Sequence, residues 1–307
     1  TRNSLISGAI LLLLVIGVVY RSLRIKKRDN ALLSKQKTEI EKQKEIVESQ
    51  KTAITDSIRY ARRIQSAMLP PDTLFNEIIP EGFILYLPRD IVSGDFYWIR
   101  EINSGKIIIA VADCTGHGVP GAFMSMLGMS LLSDTFNRCA DKYGEDGISP
   151  YQILNDLRER IKDSLRQTGR DGEARDGMDM TVCIIDKNSR RILFAGANNP
   201  VYLVSNGELA ELKGTRNPVG IYLMEKPFET SEHLAAPGTM LYMFSDGYAD
   251  QIGHDGGKFL SKNLKKLLAE ISNRDSGEIK DVLYKRHCEW RGEEEQVDDI
   301  LIIGIRL

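Results

Sequence analysis

An α+β fold with layered antiparallel sheets, carried behind a transmembrane helix and a coiled-coil-like linker helix, is predicted by three features of this 307-residue sequence. Residues 5–20 carry no charge. Residues 29–69 lack Gly and Pro and place an apolar residue at every seventh position. Beyond residue 80, short β-type runs alternate with turn residues, and helical stretches are grouped between runs of strands rather than following each strand singly.

The first element, LISGAILLLLVIGVVY, rises about 24 Å as a helix, slightly short of a ~30 Å hydrocarbon core, and flanking Asn3, Ser4 and Ser22 extend it. A signal-peptide core would need an A-x-A-like cleavage site, and a buried soluble helix is rarely apolar all round. Arg21, Arg24, Lys26, Lys27 and Arg28 follow it against Arg2 before it, so the positive-inside bias places everything after Tyr20 in the cytoplasm. The chain starts at Thr1, which marks it as a fragment or a processed product. Residues 1–22 are therefore expected to form the membrane helix with its flanks, 23–69 the linker and 70–307 the globular domain.

In the linker, Leu33, Ile40, Val47, Ile54, Ala61 and Met68 form a heptad seam. The companion positions are Gln36, Gln43, Gln50 and Ser57 before Ile64, so the seam is weak in its first three heptads. It suits a homodimer that carries a signal from the membrane by changing register; the alternative is a solvated spacer helix.

Strands are expected at 83–88, 95–101, 106–113, 180–186, 191–197, 201–206, 240–246 and 300–307. Asn103-Ser104-Gly105, Lys187-Asn188-Ser189 and Asn206-Gly207 mark hairpin turns between them. Helices are expected over 119–138, 150–168 and 257–289. Charge argues against nucleic acid as a partner: 41 Lys and Arg stand against 43 Asp and Glu. Cys114, Cys139, Cys183 and Cys288 form no CxxC pair, so neither a disulfide framework nor a zinc site is indicated.

The chemistry is concentrated in acids at strand tips. Asp95 opens a strand after Ser93-Gly94, Asp113 closes another before Cys114-Thr115-Gly116-His117-Gly118, Asp246 closes a third before Gly247, and Asp298 and Asp299 open the last. One such Asp is an ordinary turn former; four converging on glycine-rich turns, without a His or Cys pair, suit Mg²⁺ or Mn²⁺. Met124, Met126 and Met129 are expected in the core, Glu293-Glu294-Glu295 in a solvated turn, and residues 171–179 in a mobile loop near the cleft.

VSGDFYW (92–98), VADCTGHGVPGAFMSML (111–127), FAGANNPVYLV (194–204), NPVGI (217–221), FSDGYAD (244–250) and DDILIIGI (298–305) together resemble the metal-dependent type 2C (PPM) serine/threonine protein phosphatases, in their bacterial SpoIIE-like branch. ARRIQSAMLP (61–70) resembles the helix leading into that domain in membrane-linked members. The resemblance implies an αββα architecture, a ββ sandwich flanked by helices, with two Mn²⁺ or Mg²⁺ ions in the cleft. It implies that Asp113 bridges both ions, that Asp95 serves one, that Asp246 and Asp298 complete the other, and that the Cys114 main-chain carbonyl is a further ligand. Asp299 follows the implied ligand Asp298 and is not itself assigned to the ligand set. Metal-activated water would be the nucleophile, and the substrate a phosphorylated regulatory protein of the anti-sigma-factor-antagonist kind, at a bacterial cell membrane. Arg89 is the candidate phosphate contact, against the plainer reading of a solvated arginine, and His117 fits a turn and helix-entry element better than a general acid. The competing functions are a catalytically silent docking module of the same fold and a membrane-coupled nucleotide cyclase; the intact acids speak against the first, and the lack of an assignable base pocket against the second.

Overall fold

The computed structural model describes residues 2–102, 105–170 and 172–307. The chain divides into two units, residues up to Ser57 and Ile58–Leu307. One helix, α1 (Arg2–Met68), contains all the described residues of the first unit and continues into the second. Its N-terminal part is long and apolar enough to cross a membrane: an 18-residue window has a mean hydropathy of 2.2 and none of it is buried. The seam residues Leu33, Ile40, Val47 and Ile54 are likewise exposed.

Among the described residues the second unit adds six α-helices and eleven strands: α2 (Asp72–Ile78), β1 (Gly82–Leu87), β2 (Phe96–Glu101), β3 (Lys106–Cys114), α3 (Gly118–Tyr143), α4 (Pro150–Ser164), β4 (Gly177–Asp186), β5 (Arg191–Ala197), β6 (Val201–Ser205), β7 (Glu208–Leu212), β8 (Val219–Gly220), β9 (Ser231–Leu234), β10 (Met240–Phe244), α5 (Gly247–Asp250), α6 (Ser261–Ile271), α7 (Ser276–Arg291) and β11 (Ile300–Arg306). One sheet has the order β1-β11-β10-β6-β7; the other runs β2-β3-β4-β5-β9, with β8 paired to β4. All pairings between these strands are antiparallel.

Strand alternation builds the layers. On β3, Ile107, Ile109 and Val111 enter the core between the sheets, together with Leu241, Met243, Leu301 and Ile303 of the facing sheet. Ile108, Ala110 and Ala112 point the other way, into the layer formed with α3 and α4. Tyr242, Ile300 and Ile302 pack outward with α6 and α7. Central strands are thus buried on both faces, which is why KIIIAVA and ILIIGI are continuous apolar runs. The result is an αββα sandwich.

The β6–β7 hairpin turns through Asn206 (φ 53°) and Gly207 (φ 80°), the pair of left-handed residues that a two-residue turn of this hand requires. The expected turn at 103–105 falls partly outside the described residues. Two expectations need correction. The single helix over 257–289 is two helices, because Ser272, Asn273 and Asp275 favour a turn, and Arg306 Nη2 donates to the Ser272 carbonyl freed there (3.1 Å). The loop over 171–179 ends at Asp176, because Gly177–Asp179 pair with β3 and β8.

Candidate metal centre

Period-two alternation decides where the acids go. Asp113 follows Ile109 and Val111 on the inter-sheet side of β3, and Asp95 precedes Tyr97 and Ile99 on the same side of β2. In the opposite sheet Ser245 follows Leu241 and Met243, and Asp299 precedes Leu301 and Ile303. These ends meet at one mouth of the sandwich. Ser245 Oγ donates to Asp95 Oδ2 at 2.5 Å, joining the two sheets through buried side chains.

Three glycines allow the turns to close. A Cβ on Gly94 would lie 2.6 Å from the Gly116 carbonyl oxygen, and one on Gly121 2.2 Å from the same atom, so the loop after Asp113 nests against the loop before Asp95 only without side chains there. A Cβ on Gly247 would lie 2.0 Å from the Asp299 carbonyl oxygen, and this close approach sets Asp246, at the start of α5, beside the Asp298-Asp299 turn.

The two aspartates of that turn have different surroundings. Asp299 is buried and its carboxylate accepts the backbone N–H groups of Arg89 and Gly94, both at 2.8 Å. Asp298 is half-buried, and its Oδ1 takes the Asp299 N–H (2.8 Å). Gln251, fully buried, holds the preceding segment through the Glu295 carbonyl and the Val297 N–H.

Electrostatically the mouth is unbalanced. Burial, and then the charges of Asp246, Asp298 and Asp179, push Asp113 up to about 8, and Asp113 hydrogen bonds to Asp246. Asp95 is raised by burial and by Asp113, against the lowering effect of the Ser245 hydroxyl. Burial, Asp250 and Asp298 raise Asp246, and burial raises Asp179 although Asn198 Nδ2 donates to it at 2.7 Å. Among the described residues none of these four acids, nor Asp298, is ion-paired with Lys, Arg or His. Nor do any three His, Cys, Asp or Glu side chains among them form a ready-made metal cage. The donor chemistry nevertheless fits hard divalent cations: several buried carboxylates repel one another and lack a positive partner.

A stability test follows from the raised carboxyls. The folded protein holds the Asp113 proton up to about pH 8, whereas an unfolded Asp releases it near pH 4, so the metal-free fold binds more protons than the unfolded chain between these values. The melting temperature in EDTA is expected to fall as pH rises from 5 to 8, and Mn²⁺ to raise it more at pH 8 than at pH 5. A thermal-shift series in both conditions checks the sign.

The structure brings Asp95, Asp113, Asp246 and Asp298 to this mouth, with the Cys114 carbonyl beside Gly94. Arg89 stands exposed at its rim, with Nη1 donating to the Val297 carbonyl (2.7 Å). His117 lies outside the acid group, at the N-terminus of α3 and 3.1 Å from Asp90. Met124 and Met129 are in the core, and residues 293–295 are exposed. Asp179 and Ser245 were missed as site residues; counting alternate positions back from Cys183 and forward from Met243 finds both.

The profile of the family described as "Stage II sporulation protein E (SpoIIE)" matches residues 103–307. The chain belongs to the SpoIIE family. Stage II sporulation protein E of Bacillus subtilis (strain 168) is 24% identical over 220 residues, 71% of this chain and 24% of that protein. Phosphoserine phosphatase RsbP of the same organism is 26% identical over 195 residues, 63% of this chain and 45% of that protein. The chain thus spans under half the length of these SpoIIE-family relatives. The SiaA-PP2C domain of Pseudomonas aeruginosa superposes with a TM-score of 0.73 at 32% identity, over 84% of this chain and 98% of that one. The SpoIIE-family fold seen here is therefore that of a PP2C (PPM) phosphatase domain.

Proposed function

We propose that this chain is a membrane-anchored, metal-dependent protein serine/threonine phosphatase that hydrolyses phosphoserine or phosphothreonine on a regulatory protein. The observation that carries the reading is the group of buried carboxylates without a cationic partner at the mouth between the sheets. In this reading Asp113, Asp95, Asp246, Asp298 and the Cys114 main-chain carbonyl would hold two Mn²⁺ or Mg²⁺ ions, with Asp113 shared between them. Bound there, the ions would activate water near neutral pH and offset charge on the phosphoryl oxygens.

The protein's own groups provide the rest. Ser245 fixes the rotamer of Asp95, and the Asp299 carboxylate clamps the Arg89 and Gly94 backbones. Arg89, exposed at the rim with Nη1 on the Val297 carbonyl, has further guanidinium N–H groups to offer an incoming phosphate. A covalent route through Cys114 is disfavoured, because its thiol is buried and pushed up, hence protonated at neutral pH. Phosphoserine as substrate draws support from the named activity of RsbP, and an anti-sigma-factor antagonist as target from the family resemblance.

The exposed apolar stretch of α1 and the basic cluster after it support a single-pass anchor (1–22) with the phosphatase domain (70–307) on the cytoplasmic side. The exposed seam supports a linker (23–69) that pairs in a homodimer.

The test is the detergent-solubilised chain with p-nitrophenyl phosphate and with a phosphoserine protein, with Mn²⁺ or EDTA. Turnover of both is expected in Mn²⁺ only. Absence of turnover in Mn²⁺ would sink the phosphatase and favour the docking module; consumption of ATP or GTP with pyrophosphate release would favour the cyclase.

A further inference from the structure

The sandwich has a second end, and a cavity of about 390 Å³ opens there, within the size range of small-molecule sites. Ile107 in its wall is six positions along β3 from Asp113, and Ile305 is six positions from Asp299, so the cavity stands about 20 Å from the acid mouth. Its wall is apolar. Ile78 and Ile79 around the end of α2, Ile107 of β3, Ile185 of β4 and Ile305 of β11 are all buried, and all belong to the core between the sheets. The cavity therefore continues that core outward to a rim where Glu81 and Lys187 are exposed.

Three cations line the cavity, and two of them are already answered. Lys187 Nζ donates to Glu101 (2.6 Å); Arg306 Nε is 3.8 Å from Glu81, with its Nη groups on the Gly238 and Ser272 carbonyls (3.3 and 3.1 Å). Arg190 is the third. It is half-buried, its Nε is buried without a hydrogen-bond partner, and among the described residues no acid pairs with it. It also fills the left-handed position of the β4–β5 turn (φ 57°), where Gly or Asn is the ordinary occupant. The turn fixes its backbone on both sides: the N–H donates to the Asp186 carbonyl (2.8 Å), and the carbonyl accepts the Ala235 N–H (3.0 Å). A buried guanidinium N–H left without an acceptor is costly, and an anion at the cavity supplies one.

We propose that this cavity binds a small amphiphilic monocarboxylate, its apolar body among the isoleucines and its carboxylate on Arg190. One unanswered cation matches one negative charge, and Glu81 at the rim disfavours a dianion such as a phosphate monoester. Recognition here is independent of the phosphatase reading, because none of the acids at the mouth takes part.

The experiment is equilibrium dialysis of radiolabelled 2-naphthoate against the full chain in phosphatidylcholine nanodiscs, with empty discs subtracted, at pH 7 in EDTA so that no metal at the mouth takes the carboxylate. Neutral 2-naphthamide tests the charge, and excess acetate as competitor tests the apolar body. The variants are Arg190→Gln, which keeps most of the stem, and Arg190→Gly, which suits the left-handed backbone and is expected to melt no lower than wild type. Wild type is expected to take up one equivalent of 2-naphthoate with a Kd of about 1 mM or tighter, unaffected by acetate, and 2-naphthamide at least about tenfold more weakly. Both variants are expected to lose at least about tenfold in 2-naphthoate affinity. Absence of uptake by wild type overturns the site; wild-type affinity in either variant, or equal affinity for the amide, overturns the role of Arg190 and with it the carboxylate as ligand.

Discussion

Asp113→Asn is expected to lose at least about 10³-fold in kcat/KM toward p-nitrophenyl phosphate at saturating Mn²⁺, about 4 kcal/mol of transition-state stabilisation. As the proposed shared ligand, its loss of charge loosens both ions at once. The same substitution is expected to raise the melting temperature of the metal-free protein at pH 8, since it removes a carboxyl that burial and the charges of Asp246, Asp298 and Asp179 hold far above its ordinary range. Opposite movements of activity and stability are what separate a ligand from a structural residue. Asp299→Asn is expected to cost less activity, because Asp299 spends its oxygens on two backbone N–H groups and an amide oxygen can keep one of them. Near wild-type turnover by the Asp113 variant would remove the bridging role.

Truncation before Leu23 is expected to move the protein completely from the detergent phase to the aqueous phase in a temperature-induced detergent partition, with metal-dependent turnover retained. The removed residues include exposed Leu11, Leu12, Leu13 and Leu14 in an apolar stretch with no buried residue. Each fully buried side chain of this size is worth roughly 1.5–3 kcal/mol in transfer from water, so the segment as a whole far exceeds what an aqueous monomer tolerates. Recovery of the intact chain in the aqueous phase would refute the span.

The fold was legible where burial on both faces forces an unbroken apolar run, as in β3 and β11, and where a turn demands its own residues, as at Asn206-Gly207. It was illegible where neither applies. The strands β7 (ELAEL) and β9 (SEHL) sit at sheet edges with much of their surface exposed, so their composition carries no strand signal, and β8 is only Val219–Gly220. α6 and α7 merged in the sequence because both flanks are helix-forming and only a short turn intervenes. Among the residues at the mouth, acids beside glycines drew notice because carboxylates at strand tips are chemically conspicuous. Ser245 is an ordinary type, and Asp179 lies within β4 rather than at its tip; strand parity is what gives both their importance.

The mouth is shared between the sheets in a way that constrains when it can exist. Asp95, Asp113 and Asp179 belong to the sheet assembled from β2 to β5, whereas Asp246 and Asp298 flank β10 and β11 of the other, and β11 lies between β1 and β10. On a ribosome β1 therefore waits, unpaired, through the synthesis of about 200 residues until β11 arrives, and the helical linker is complete long before. On the proposed reading, a nascent chain would have its anchor and linker complete well before its five acids could come together.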